Sequence, residues 1–470
     1  MNRTSSKAAA AGAAHPRAGA FIPPSPPAAS LRLASGWLWL GMASLVGAGL
    51  FAVLLVLSRT PYVQDIFPWV DFFHSALVVH VDLSVLFWFL AFAGVIWSFN
   101  ASARWIYLGW PALALATAGA LIVAAAPFVD SGKPIMSNYI PVLQGPVFLS
   151  GLVLFAGGIA FLVLRSLVAA LPAGRGTTGA GALRFGIVAS LVAAAFALIA
   201  YAWSYAQVPD ELTGTPYFEL LFWGGGHVMQ FSYTLLMLTA WLWLASASAS
   251  GMRLSVSPRL ATLLLALGLL PVFLTPFIYL AHDIISSRHV EQFTLLMKVG
   301  GSLAAAPLGL AVAYGLLRGR RAEPPLQPLR AALISSLILF AVGGGISLMI
   351  QGSNTIITAH YHGTGGAVSL AFMGLTYYLL PVLGYRAADL KWARIQPYVY
   401  GAGQLLHIIG LLWSGGYGVQ RKVAGAAQEL HTIGQKAGMG LMGLGGLIAV
   451  IGGLMFLVVV FRAMRRPAGR

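Results

Sequence analysis

The sequence predicts an all-α membrane protein with twelve transmembrane helices, and three observations carry that expectation. Of the 470 residues, 59% are hydrophobic and 9% charged, whereas an ordinary soluble domain is roughly a quarter charged. Apolar runs long enough to cross a bilayer core, about 20 residues each, recur twelve times: 36–58, 74–99, 104–128, 143–169, 183–206, 216–246, 259–282, 292–317, 330–352, 357–384, 395–415 and 437–462. The links between them are short, which leaves no room for an inserted soluble domain. Ahead of the first run, residues 1–33 are rich in Ala, Pro, Ser and Gly and read as a disordered cytoplasmic tail. The membrane domain is expected over 34–464, with a basic tail at 465–470. No cleaved signal peptide is expected, because the first long apolar run begins only near Trp37.

The net charge of +16 comes from 28 Lys and Arg against 12 Asp and Glu, and the basic residues punctuate the apolar runs. With the N-terminus cytoplasmic, 21 of the 28 fall on the tails and even-to-odd loops, as the positive-inside bias requires. The excess is a topology signal, and no nucleic-acid partner is expected. Most of the acids, Asp82, Asp283 and Glu291 among them, are assigned to the outer side. The absence of cysteine excludes disulfides, thiolate metal sites and covalently attached c-type haem. Any metal must be held by His, carboxylate or Met.

Histidine placement is the informative feature. His80 lies early in the second run, His227 in the first half of the sixth, His282 at the end of the seventh, and His360 and His362 at the start of the tenth. Alternating helix direction brings all five to the outer half of the membrane, where ionisable side chains are costly and functional by default. Two residues on a helix are about 200° of rotation, so His360 and His362 are able to ligate two different centres. His227 and the His282-Asp283 pair form a candidate three-ligand metal site with an open position, suited to copper or non-haem iron. His15, His74, His289, His407 and His431 are not selected as ligands. The glycine runs Gly224–Gly226 and Gly343–Gly345 either ease helix contact or make room for a macrocycle.

In this order and spacing the motifs resemble subunit I of the haem-copper oxidase superfamily, over about residues 36–462. The resemblance implies a subunit I-like bundle in which His80 and His362 hold a low-spin haem of b type and His360 holds a high-spin haem. It also implies that His227, His282 and Asp283 hold the second metal of a binuclear centre. Gln420, Arg421 and Lys422 look like the family's basic run at the haem propionates, where cations offset carboxylates. His360, His227, His282 and Asp283 are the implied catalytic set.

Two departures choose the branch. The oxidases usually close the seventh helix with His-His, and here the second position is Asp283. Many also carry a ligand-linked Tyr four residues after the sixth-helix His, and here that position is Phe231. Tyr233 points elsewhere around the helix, and Tyr279 is a candidate substitute. Splitting dioxygen takes four electrons at once, whereas coupling two nitric oxide molecules takes two electrons and two protons. A carboxylate ligand also hardens the metal site. These departures favour the oxidase-derived nitric oxide reductases. The alternatives are a terminal oxygen reductase of the same superfamily and a twelve-helix secondary transporter, for which no internal repeat is visible. Glu291, Thr294, Lys298 and Ser302 form a candidate proton route along the eighth run, against the plainer reading that Lys298 snorkels. The expected electron donor is a cupredoxin-like or cytochrome c subunit on the outer face. The expected setting is the lipid of the bacterial inner membrane, with both termini cytoplasmic.

Overall fold

The computed structural model describes residues 19–57, 72–130, 132–174, 178–248, 256–319, 322–422 and 430–465. Among these, eleven helices are long and apolar enough to cross a membrane: α1 Ala28–Leu54, α2 Phe73–Phe99, α3 Ile106–Val129, α4 Pro146–Ala169, α5 Gly179–Gln207, α6 Gly214–Ala247, α7 Pro258–Ala281, α8 Ser287–Arg318, α9 Pro324–Ser347, α10 Thr355–Val382 and α12 Ile433–Met464. The remaining expected run is also a helix, α11 Leu390–Gly416. It carries Lys391, Arg394, Gln396, Gln404 and His407 and is too polar to belong to the apolar set. It packs along α9, α10 and α12. α1 starts at Ala28, inside the stretch read as a tail, and Phe21 ahead of it is fully buried, its N–H bonded to Ser246 Oγ at 2.9 Å. The helical domain therefore begins before residue 34, and the rest of the expected tail, residues 1–18, lies outside the described residues. So do residues 466–470.

Three helices form the centre. In α6, α10 and α2, 83%, 78% and 72% of the most apolar window is buried within the protein, against half or less in the other spans. α6 and α10 also have the lowest mean hydropathy of the eleven, 1.4. That inversion has a physical cause: a helix facing lipid must be apolar, whereas one enclosed by protein can carry Gly, Ser, Thr and His at its contacts. These three helices bear His80, His227, His360 and His362.

Close contacts are built from small residues. A Cβ on Gly343 of α9 would lie 2.8 Å from the Gly363 backbone of α10, and one on Gly363 would lie 2.6 Å from Gly343 Cα. Gly158 of α4 meets the Ala116 backbone of α3, and Gly403, Gly410 and Gly445 bring the α11 and α12 backbones together in the same way. A short antiparallel hairpin, β1 Pro134–Ile135 and β2 Val142–Leu143, joins α3 to α4.

Two helices are interrupted by π turns, α2 at Asp82–Phe87 and α8 at Leu296–Gly300. Such turns hold one extra residue in the winding and recur at functional sites.

Candidate functional site

His80 and His360 are held alike. Nδ1 of His80 bonds the Ala48 carbonyl of α1 at 2.8 Å, and Nδ1 of His360 bonds the Gly343 carbonyl of α9 at 2.8 Å. A carbonyl accepts only, so each Nδ1 carries the proton and each Nε2 keeps its lone pair. Ligand histidines are ordinarily oriented this way, by donating the second ring N–H to a carbonyl. The Gly343–Gly363 crossing is what brings that carbonyl within reach of His360. His362, on the opposite side of α10, lies within electrostatic range of His80 and His407, and its ring centroid is 4.8 Å from that of His407. His407 is anchored through Nδ1 to the Met442 carbonyl of α12 at 2.9 Å. This donor set fits the ligation of two haems: His80 and His362 lie within electrostatic range of each other, and His360, held to α9 through Nδ1, would offer Nε2 to a second one.

His227 is 4% exposed and has partners at both nitrogens. Nδ1 bonds the Trp223 carbonyl at 2.7 Å and Nε2 meets the Tyr139 hydroxyl at 2.9 Å. The first contact is redundant for Trp223, whose carbonyl is also the regular acceptor for the backbone N–H one helical turn on. Tyr139 stands at the tip of the β1–β2 hairpin with φ of 69°. A bulky residue there costs on the order of 1–3 kcal/mol and persists only when its surroundings fix it. Those surroundings are visible. Asn138 donates from its backbone N–H and its amide to the two oxygens of Glu219 at 3.0 and 2.8 Å, and Ser137 Oγ bonds the Ile140 carbonyl. Burial pushes the Tyr139 phenol well above its ordinary pKa, with Tyr201 and Glu219 acting the same way and Arg421 against them. The hydroxyl stays protonated and donates to His227.

The glycine run ahead of His227 seats three tyrosines. A Cβ on Gly224 would strike the Tyr279 hydroxyl, one on Gly225 the Tyr201 ring, and one on Gly226 the Tyr139 ring. The run is a seat for aromatic rings, and its third residue places Tyr139 against the histidine.

The other proposed metal ligands are not drawn to His227. His282 caps the end of α7, and Asp283 is exposed, with its carboxylate accepting the Ile285 N–H at 3.1 Å. Among the described residues no three of His, Asp and Glu are grouped to hold a metal ion. As arranged here, the set does not fit a bound second metal. Tyr279 is also turned away: its hydroxyl donates to the Ala200 carbonyl at 3.0 Å and lies 2.7 Å from Ser204 Oγ on α5. Phe231 packs near Gly300, and Tyr233 lies against Phe89 of α2. Glu291, Thr294, Lys298 and Ser302 are all exposed on α8, which supports the snorkelling reading.

Arg421 and Lys422 are described up to the edge of their loop. Arg421 reaches Ser353 Oγ at 3.1 Å and Asn138 Oδ1 at 3.2 Å, while Lys422 Nζ is 3.5 Å from Glu219. Burial lowers the Lys422 pKa and Glu219 opposes the shift. The guanidinium has five N–H donors and the ammonium three, so both retain capacity for a propionate carboxylate beside Glu219.

Residues 32–462 match the model of the family described as Cytochrome C and Quinol oxidase polypeptide I. The chain belongs to this family. An uncharacterized protein of Rickettsia prowazekii (strain Madrid E) is 28% identical over 92% of this chain and 96% of its own length. Another, from Aquifex aeolicus (strain VF5), is 28% identical over 77% of this chain and 88% of its own. Among solved structures, a heme-copper terminal oxidase dimer determined by cryo-EM matches with a TM-score of 0.68 at 17% identity, covering 94% of this chain and 85% of that one. At that identity the likeness shows the fold. The oxidase polypeptide I family thus accounts for the bundle, and the chain is a multi-pass membrane oxidoreductase of the haem-copper superfamily.

Sequence reasoning missed three residues. Tyr139 lies in a polar link and its role depends on the hairpin; the only trace of it was the run of small residues before His227. His407, not selected as a ligand from its position near a helix end, packs on His362. Asp82, counted with the outer acids, is fully buried, and neither carboxyl oxygen has a hydrogen-bonding partner. It begins the π turn two residues after His80.

Proposed function

We propose that this chain is the haem-bearing subunit of a respiratory enzyme that reduces nitric oxide to nitrous oxide. The observation that carries the haem reading is the matched anchoring of His80 and His360 through Nδ1 to backbone carbonyls, which leaves each Nε2 free on the central helices. His80 and His362 hold the low-spin haem and His360 the high-spin haem, and Arg421 and Lys422 offset propionate charge. Haem iron supplies one-electron chemistry when bound. The protein orients the imidazoles, excludes water through the packing of α2, α6 and α10, and carries the outer hydrogen-bonded network.

The nitric oxide reading is supported by Phe231 and Asp283 in place of Tyr and His. Coupling two nitric oxide molecules consumes two electrons and two protons and releases water, without the extra electron that a phenol provides for dioxygen. The resemblance implies that His227, His282 and Asp283 hold a copper or non-haem iron ion; the three are not grouped in this structure, and the haem reading does not depend on them. Oxygen reduction is the second reading, and the Tyr139–His227 hydrogen bond favours it. Family membership removes support from the transporter reading. A cupredoxin-like or cytochrome c donor on the outer face of the bacterial inner membrane, with both termini cytoplasmic, completes the proposal.

The test is a visible spectrum of the purified chain with its co-purifying subunits, followed by parallel nitric oxide and oxygen electrode measurements. A Soret band with rapid nitric oxide loss and negligible oxygen uptake is expected. A colourless preparation overturns the haem reading, and dominant oxygen uptake selects the second reading. Asp283→His is expected to raise the copper-to-iron ratio in metal analysis, since imidazole favours copper relative to a hard carboxylate.

A further inference from the structure

We infer that Tyr139 is the positioning residue of His227, a phenol supplied by the α3–α4 hairpin in a chain that has Phe231 one helical turn beyond that histidine. The inference rests on the reading of His227 as part of the redox site. Four observations converge on it. The hydroxyl is 2.9 Å from His227 Nε2. The ring fills the space that only a glycine at 226 leaves open. The backbone at 139 is held in the left-handed region. The preceding residue is tied to α6 through both oxygens of Glu219 and to the α11–α12 link through Arg421.

The two hydrogen bonds of His227 are not equivalent. Releasing Nδ1 leaves the Trp223 carbonyl in its helical bond, so that nitrogen is the one readily freed for a ligand. Releasing Nε2 strips the half-buried phenol of its hydrogen-bonding partner here, whereas releasing Nδ1 leaves Trp223 bonded. When Nδ1 is freed its proton moves to Nε2, which then donates to the Tyr139 oxygen, so the pair stays bonded with the direction reversed. Tyr139 fixes the orientation of the imidazole and which nitrogen faces the protein. Glu219, Arg421 and Lys422 connect this pair to the basic run, so a change in the loop reaches His227 through the hairpin.

The test uses the purified full-length protein and an infrared readout that does not depend on turnover. The phenolic C–O stretch of Tyr139, identified by its loss in Tyr139→Phe, is expected to shift in His227→Gln. An unchanged band overturns the inference. Turnover of Tyr139→Phe, with whichever substrate the enzyme takes, is expected to fall by about 10- to 100-fold, the range for removing the partner of a ligand histidine, with KM unchanged and the Soret band intact. Wild-type turnover in that variant also overturns it. Should Tyr139→Phe fail to retain haem, Asn138→Ala keeps the phenol but loosens its clamp, and the same band must broaden; a sharp, unmoved band counts against the inference. A preparation without haem defeats the functional reading while leaving the infrared result interpretable.

Discussion

His360→Ala is expected to abolish carbon monoxide binding to reduced protein while a six-coordinate, low-spin haem spectrum remains. His80→Ala is expected to do the reverse, leaving a high-spin signal. The asymmetry follows from α10: two residues are about 200° apart, so His360 faces α9 and the Gly343 carbonyl while His362 faces His80 and His407. The two alanine variants remove ligands from different pockets, and each should drop haem content from two per chain to one. His407→Ala separates ligation from support, since it removes a ring packed on His362 and should broaden the low-spin spectrum without eliminating it. Identical spectra in the His360 and His80 variants would overturn the assignment.

Gly343→Ala is expected to damage the α9–α10 crossing and the His360 site together. The new Cβ would lie 2.8 Å from the Gly363 backbone, and backbone cannot rotate away as a side chain does. Overpacking of this kind costs about 1–3 kcal/mol, occasionally more. Separating α9 from α10 also withdraws the carbonyl that orients His360, so the high-spin haem signal should weaken along with the melting temperature in detergent. Gly344→Ala is the control, because nothing lies within 4 Å of its added methyl. Equal melting temperatures and spectra for the two variants would show that the crossing is not tight.

Much of the architecture is legible in the sequence because membrane spans are fixed by length and apolarity alone. All twelve expected runs are helical, and the runs bearing His80, His227, His360 and His362 are the central ones. α11 departs from the apolar pattern because Gln396 and His407 bond to other helices: Gln396 to Tyr377 and the Gly452 carbonyl, and His407 to that of Met442. The site is only partly legible. Spacing puts His360 and His362 on opposite faces, but it cannot show that Asp283 faces outward in a turn, nor that the α3–α4 link returns Tyr139 to His227. Those depend on backbone dihedrals and tertiary hydrogen bonds, such as φ of 69° at Tyr139 and the clamp on Glu219, for which no periodicity exists. The glycine run was visible, but its purpose was not: three rings occupy it.

The π turn in α2 makes the number of residues between Asp82 and Phe87 a structural parameter in its own right. Deleting one residue there would return the helix to ordinary winding and leave the parts on either side close to their present facing, because the turn takes up the extra residue; deleting one from the regular stretch Trp88–Phe99 would swing everything on its outer side by about 100°. In that second variant the His80 imidazole would leave the Ala48 carbonyl and face a different neighbour, with no ligand substituted. Indel scanning of α2 should therefore erase the low-spin signal as thoroughly as replacing the histidine when one residue is lost from Trp88–Phe99, while a single deletion within the π turn should be tolerated far better.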